Sequence, residues 1–273
     1  MPPLVTVYIT THNRGRRLIT AVNSVLNQTY KNIEIIISDD GSQDNTPEIV
    51  ESLTSEFSNI RYVRNEIPMG ANHARNRALE LARGVFITGL DDDDEFKEDR
   101  IQLFVSNWDD KYAFICDNFI DSFKDREDAH YMEKDILFSC ENLLFENLAS
   151  NQVFTLSERL REVGGFNLKL KRLQDWDCWL RLSHRYGTAK RFNWCTYMMY
   201  HDQIDRISNN QKSREAYKVF VKENLHIYKL LRGGLGVKLA DNSKAITLSD
   251  LIRAKSKIEF KILLKEIILS RLK

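Results

Sequence analysis

The first third of the chain switches between two hydrophobic periods. Residues 4–9 are β-branched and apolar, the pattern of a strand buried on both faces, and they stop at the polar Thr10-Thr11-His12-Asn13-Arg14. Leu18, Ala21, Val22, Val25 and Leu26 then recur at helical spacing. Residues 33–37 predict a second strand, which ends at Asp39-Asp40-Gly41-Ser42. The next helix begins near Asn45 and turns Ile49, Val50, Leu53 and Phe57 inward. A third strand over 60–63, a helix over 71–82 and a fourth strand over 85–90 complete the series. Strands and helices alternating in this way predict an α/β fold, with a doubly wound, mostly parallel sheet flanked by helices. Three of the four strand exits carry Asp, Asn, Thr or Gly clusters, and open parallel sheets bind ligands at those carboxyl ends.

The later chain is less regular. Strands are expected over 113–119, 151–156 and 192–201, and helices over 137–148, 173–185 and 212–231. The helix over 173–185 carries Trp176, Trp179, Leu180 and Leu182. Gly233-Gly234-Leu235-Gly236 reads as a hinge before a final helix over 248–272.

Composition narrows the function classes. With 42% hydrophobic and 29% charged residues and a net charge of +1, the 273-residue chain is ordinary for a soluble protein and has no global charge to attract nucleic acid. Cys116, Cys140, Cys178 and Cys195 are far apart and form no C-x-x-C pair, so neither a zinc site nor a disulfide framework is expected. The first apolar run turns polar by Thr10, too early for a signal peptide, and no segment approaches the roughly 20 apolar residues that span a bilayer. The expected location is cytoplasmic, with at most a peripheral attachment to a membrane surface.

Candidate chemistry concentrates at Leu90-Asp91-Asp92-Asp93-Asp94-Glu95. An acidic run alone is commonly a solvated loop. This one follows a buried strand, where a parallel sheet places its ligands. Carboxylate oxygens suit Mg²⁺ or Mn²⁺, and an ion shared with phosphates is usually held by only one or two protein carboxylates. Asp91 and Asp93 alternate on an extended chain and so can point the same way.

Further motifs accompany the run. They are residues 5–14, Ser24-Val25-Leu26-Asn27-Gln28-Thr29-Tyr30, Glu34-Ile35-Ile36-Ile37-Ser38-Asp39-Asp40-Gly41-Ser42-Gln43-Asp44-Asn45-Thr46, and Ala74-Arg75-Asn76. In this order, over about the first 95 residues, they resemble the family 2 glycosyltransferases, nucleotide-sugar-dependent enzymes of the GT-A fold. A looser match continues through Gly164-Gly165-Phe166 and Gln174-Asp175 to His201. The resemblance implies a catalytic domain over 1–210, with a nucleotide-binding half (1–95) and an acceptor-binding half (96–210), and a helical C-terminal extension over 211–273.

The resemblance also implies a UDP-sugar donor. Asp40 would meet the uracil edge, and Thr10 and His12 would line the base pocket, although many relatives have Tyr where this chain has His12. Asn13, Arg14, Arg75, Asp91 and Asp92 would complete the nucleotide-sugar site. Asp93, with Asp91, would hold Mn²⁺ or Mg²⁺, and His201 stands where many GT-A enzymes have a metal-contacting histidine. Asp175 matches the family's base, which takes the proton from the attacking hydroxyl. Asp177 is its neighbour on another face of the helix, and a capping role is the structural alternative for Asp175. Gly164 and Gly165 would turn the backbone near the acceptor, and Trp176 would stack on an acceptor sugar or pack in the core. Direct displacement inverts the anomeric centre, so an α-linked donor would yield a β-linkage.

Residues 251–273 carry seven Lys or Arg against Glu259 and Glu266, with Lys257, Lys261 and Lys265 in one stripe and Phe260, Leu263, Leu264, Ile267 and Ile268 roughly opposite. Such a helix either lies on an anionic membrane or packs on the catalytic domain or a second subunit of a homodimer. On the membrane reading the acceptor is a lipid-linked saccharide, of undecaprenyl-diphosphate type. The setting would be surface-polysaccharide assembly (O-antigen, lipopolysaccharide or capsule) at the inner face of the cell membrane. Two other functions share the scaffold: an inactive nucleotide-sugar-binding module, and a sugar nucleotidyltransferase that would release pyrophosphate.

Overall fold

The computed structural model describes residues 2–124, 126–130, 133–149, 152–201, 210–240 and 246–271. The first part runs β1 (Val5–Thr11), α1 (Gly15–Leu26), β2 (Ile33–Asp39), α2 (Thr46–Glu56), β3 (Ile60–Arg64), α3 (Ala71–Leu81) and β4 (Phe86–Asp91). It continues through β5 (Glu95–Phe96), α4 (Arg100–Asn107), β6 (Ile115–Ser122), β7 (Glu127–His130), β8 (Ile136–Phe138) and α5 (Cys140–Leu143). Next come β9 (Thr155–Leu156), α6 (Ser157–Glu162), α7 (Gln174–Tyr186) and β10 (Ala189–Tyr200). The remaining elements are helical: α8 (Asn210–Glu223), α9 (Leu225–Arg232), α10 (Gly234–Ala240), α11 (Leu248–Ile252) and α12 (Lys257–Arg271).

The expected α/β architecture is present. The main sheet has the order β3-β2-β1-β4-β9, parallel except for β9, which pairs antiparallel with β4. Both faces of β1 are buried from Val5 to Ile9, which is why that run is β-branched and mostly apolar. Val5, Val7 and Ile9 enter one apolar cluster with Leu18, Val22 and Val25 of α1. Tyr8 enters the other, with Ala78 and Leu79 of α3 and Trp179 of α7. Phe220, Tyr228, Leu251, Leu263 and Ile267 of the C-terminal helices join this second cluster, so the extension shares a core with the sheet.

A second sheet, ordered β5-β10-β6-β7 with β8 also on β10, stands beside the acidic run. A buried ion pair ties the two parts together: Arg100 Nη1 lies 2.5 Å from Asp117 Oδ1, with side chains only 1% and 2% exposed. Thr196 donates to the other Asp117 oxygen through its backbone N–H, and the Arg100 guanidinium lies over the Phe96, Phe104 and Tyr197 rings.

Several later elements differ from the expectation. The helix over 137–148 is instead β8 paired antiparallel with β10, followed by the short α5, because a capping box between Ser139 and Asn142 starts the helix only there. The strand over 151–156 shrinks to Thr155–Leu156. The helix over 212–231 breaks at Asn224, whose buried amide donates to Asp177 Oδ1 at 2.7 Å. The glycine hinge is helical from Gly234, and Gly233 alone turns left-handed (φ 55°). The final helix divides into α11 and α12, which starts where Ser256 Oγ accepts from the Glu259 N–H. Asn151 and Leu272, which belong to those expected elements, lie outside the described residues, as does Lys273.

Candidate active site

The carboxyl ends of β1, β2 and β4 converge, with Thr10 paired in register with both Ser38 and Asp91. Beyond them opens a cleft of about 380 Å³, lined by Thr10, His12, Arg14, Asp40, Arg75 and Asp91 among others, and also by Asp92 and Asp93. That volume lies within the roughly 300–1,000 Å³ typical of small-molecule sites.

Asp40 is held rigidly. Its Oδ1 accepts from Asn65 Nδ2 (2.8 Å) and the Met69 N–H (2.7 Å), and its Oδ2 from the Gly70 N–H (2.7 Å). Burial alone would raise its pKa, but these donors and nearby His12 hold it below the ordinary carboxylate value. His12 Nδ1 lies 2.8 Å from the Asp40 carbonyl oxygen, and its Nε2 lies 2.9 Å from Asn13 Nδ2.

Asn13, expected in the nucleotide-sugar site, joins two strand exits. It adopts a left-handed backbone (φ 55°), and its Oδ1 accepts from the Gln43 N–H at 2.7 Å, bracing the β1 exit against the β2 exit. Arg14 does reach the acidic run, donating to Asp92 Oδ1 (3.0 Å) and Asp93 Oδ2 (2.8 Å).

The centre of the site is Arg75, on α3. Its side chain is 7% exposed, and its guanidinium lies 3.3 Å from Asp91 Oδ1 and 3.8 Å from Asp175 Oδ1. Asp91 and Asp175, 84 positions apart, thus share one cation. Asp175 opens α7 behind Leu173, whose backbone is left-handed (φ 61°). Burial first, with Asp91's charge adding to it and Arg75 opposing, pushes the Asp175 carboxyl up to about 6. A carboxylate with that pKa is ionised at neutral pH yet basic enough to take a proton.

Asp91 is further positioned by Gln152, whose Oε1 accepts from Tyr8 (3.1 Å) and whose Nε2 donates to Asp91 Oδ1 (3.4 Å). Gly89 makes room for this approach, because a Cβ there would stand 2.2 Å from Gln152 Oε1. Asp94 faces inward and accepts from the Tyr197 hydroxyl (2.7 Å), so it anchors the run. Burial raises the carboxyls of both Asp92, to about 6, and Asp94. The sequence pattern did not single out Gln152, Tyr197 or Arg100; Gln152 lacks any local motif, and only its three-dimensional neighbours reveal it.

The donor chemistry of Asp91 and Asp93, oxygen only, fits Mg²⁺ or Mn²⁺. Among the described residues no three His, Cys, Asp or Glu side chains converge into a closed metal site. An ion that takes its remaining ligands from phosphates and water matches that arrangement. His201 has another partner: its Nε2 is 2.5 Å from Asp121 Oδ1, and its ring stacks on Phe123. This structure therefore directs His201 to the β6 edge.

Gly165, expected near the acceptor, packs on α3, where a Cβ would meet Asn76 Oδ1 at 2.4 Å, and its left-handed backbone (φ 62°) favours glycine. Gly164 is the exposed half of the same turn (φ 81°). Trp176 is partly packed: its Nε1 donates to the Leu143 carbonyl (2.6 Å), and its ring lies 4.8 Å from that of Phe220.

Comparisons with known proteins agree with this fold. The family described as Glycosyl transferase family 2 matches residues 6–171. WcaA of Escherichia coli (strain K12), a glycosyl transferase assigned to colanic acid biosynthesis, is 30% identical over 234 residues, 81% of each chain. The GalNAc(5)-diNAcBac-PP-undecaprenol beta-1,3-glucosyltransferase of Campylobacter jejuni is 30% identical over 170 residues, 60% of this chain and 55% of that one. Among solved structures, residues 1–349 of TarS from S. aureus with UDP-GlcNAc superpose with a TM-score of 0.69 at 16% identity, covering 97% of this chain and 80% of that one. That likeness establishes the fold as GT-A.

Proposed function

We propose that this chain, which belongs to glycosyl transferase family 2 and is a glycosyltransferase, moves a hexose from a UDP-sugar to a saccharide acceptor with inversion at the anomeric carbon. The observation that carries the reading is Arg75, which faces Asp91 of the acidic run and Asp175 of α7 at once. A donor held at Asp91 and a hydroxyl held at Asp175 would therefore meet across a single side chain.

In this reading Thr10, His12 and Asp40 hold the base, Arg14 and Arg75 face the diphosphate, and Asp92 fixes Arg14. Asp91 and Asp93 hold Mn²⁺ or Mg²⁺, which when bound offsets the charge that builds on the departing diphosphate. Asp175 accepts the proton of the acceptor hydroxyl. That oxygen forms its bond to the anomeric carbon from the face opposite the nucleotide, the bond from that carbon to the β-phosphate oxygen breaks, and UDP leaves. An α-linked donor then gives a β-linked product.

The Campylobacter relative supports a lipid-diphosphate-linked acceptor. The C-terminal helix supports a membrane-surface contact, though on a different face from the expected one. Leu263 and Ile267 are packed into the core, while Phe260, Leu264 and Ile268 stay 43%, 38% and 50% exposed beside the exposed Lys257, Lys261 and Lys265. No described helix is long and apolar enough to cross a membrane. The test of the donor assignment is UDP release across UDP-, GDP- and dTDP-sugars, with Mn²⁺ and then with EDTA. Release from one UDP-hexose, abolished by EDTA, is expected; turnover that survives EDTA would remove the metal role of Asp91 and Asp93.

A further inference from the structure

A second cavity lies on the far side of the Arg75–Asp175 pair. It holds about 630 Å³ and is lined by Asn147, Lys171, Arg172, Asp175, Trp176 and Ala216 among others. The donor cleft and this cavity meet at one contact: Arg75 lines the first, Asp175 lines the second, and the two side chains are 3.8 Å apart. An acceptor whose hydroxyl reaches Asp175 from the side away from the nucleotide therefore occupies this cavity.

Its charge is uneven. Lys171 and Arg172 are exposed at its wall, and neither has a hydrogen-bond or ion-pair partner among the described residues. Asp175, the carboxylate of the same lining, is already faced by Arg75. Among the described residues neither cation is paired with a carboxylate, in a cavity that has no need of positive charge for a neutral sugar. A neutral acceptor would be served by hydroxyl-bonding groups such as Asn147 and an aromatic platform such as Trp176. Two adjacent cations fit instead the oxygens of a phosphate or carboxylate.

We propose that Lys171 and Arg172 form an anion subsite of the acceptor pocket, selecting acceptors that carry negative charge beside the sugar that receives the hexose. This rests on the reading of Asp175 as the acceptor's base. The charge comes either from a diphosphate linking the saccharide to its carrier or from the carboxylate of an acidic sugar. The reaction that supplies this substrate is accordingly one that leaves the saccharide attached to such a group.

The test compares three soluble acceptors of the same sugar series: an alkyl glycosyl diphosphate, an alkyl uronoside and a neutral alkyl glycoside. Each is assayed with the full chain and with the double variant Lys171→Glu, Arg172→Glu; both side chains are exposed, so the variant should fold, and its melting curve checks this. In the wild type, kcat/KM should favour a charged acceptor over the neutral one. In the double variant that ratio should fall about tenfold, as expected of two exposed ion pairs each worth up to about fivefold. The loss should appear in KM and grow weaker at high salt.

The acceptor that shows the fall identifies the source, diphosphate or carboxylate. A ratio unchanged within twofold, or a wild type indifferent to acceptor charge, overturns the subsite. If the wild type transfers sugar to none of the three, the choice of acceptor sugar fails separately. Calorimetric binding of the glycosyl diphosphate in saturating UDP and Mn²⁺ then decides the subsite: weakened binding in the variant upholds it, and equal binding overturns it.

Discussion

Replacing Arg75 by Met removes the guanidinium that faces both Asp91 and Asp175 and keeps most of the side-chain volume. At an effective dielectric of about 20, unit charges 3.8 Å apart attract by about 4 kcal/mol. Asp175 keeps 21% of its side chain exposed, so screening roughly halves this, to about 2 kcal/mol. At 1.36 kcal/mol per unit that is a shift of about 1.5 units. The sign is upward, because the lost charge favoured the ionised carboxylate. A pKa of about 6 would therefore become about 7.5. At pH 7 the ionised fraction falls from about 0.9 to about 0.25, a fourfold loss of base that recovers fully by about pH 9. The assay is the pH profile of transfer at saturating donor and acceptor. The acid limb of the Arg75→Met variant should move to higher pH by more than one unit, and the loss remaining at pH 9 reports the binding role of Arg75. An acid limb that stays in place, or moves to lower pH, would refute the argument that Arg75 sets the basicity of Asp175.

Other perturbations test other parts of the structure. Arg100→Met leaves Asp117 buried without its cation and should cost about 3 kcal/mol, at the low end for a broken buried pair because Thr196 still bonds Asp117; thermal unfolding should show a melting point lower by about 10 °C. Mn²⁺ and UDP together should raise the melting temperature more than either alone, and Asp93→Asn should abolish that excess; equal shifts in the variant would exclude Asp93 as a ligand. Wild-type protein should co-sediment with phosphatidylglycerol-rich vesicles, and the triple change Phe260→Ser, Leu264→Ser, Ile268→Ser should weaken this at least tenfold. If the same changes instead dissociate a dimer, the stripe is a subunit interface.

The first four strands were legible because each is buried on both faces or ends in a polar turn, so local period alone defines them. The site was legible in pieces: Asp91, Arg75 and Asp175 each stood in a motif, but only the fold shows that one guanidinium joins them. The second half resisted because its strands take their identity from distant partners. β10 pairs with β5, β6 and β8, and nothing local to Ile136–Phe138 announces that pairing. Asn224 interrupts a helical pattern for a partner 47 positions away. Asn13 and His201 carried motif positions, yet their side chains engage Gln43 and Asp121, contacts that composition and spacing do not encode.

The central claim is that Asp175 takes the acceptor's proton. The measurement is the single-turnover rate of hexose transfer from the preferred UDP-sugar in Mn²⁺, wild type against Asp175→Asn, with donor affinity measured in parallel. Asparagine preserves shape and removes the base, so the rate should fall by about 10²- to 10⁴-fold with donor affinity within a few-fold of wild type. Transfer by Asp175→Asn within fivefold of the wild-type rate would contradict the account.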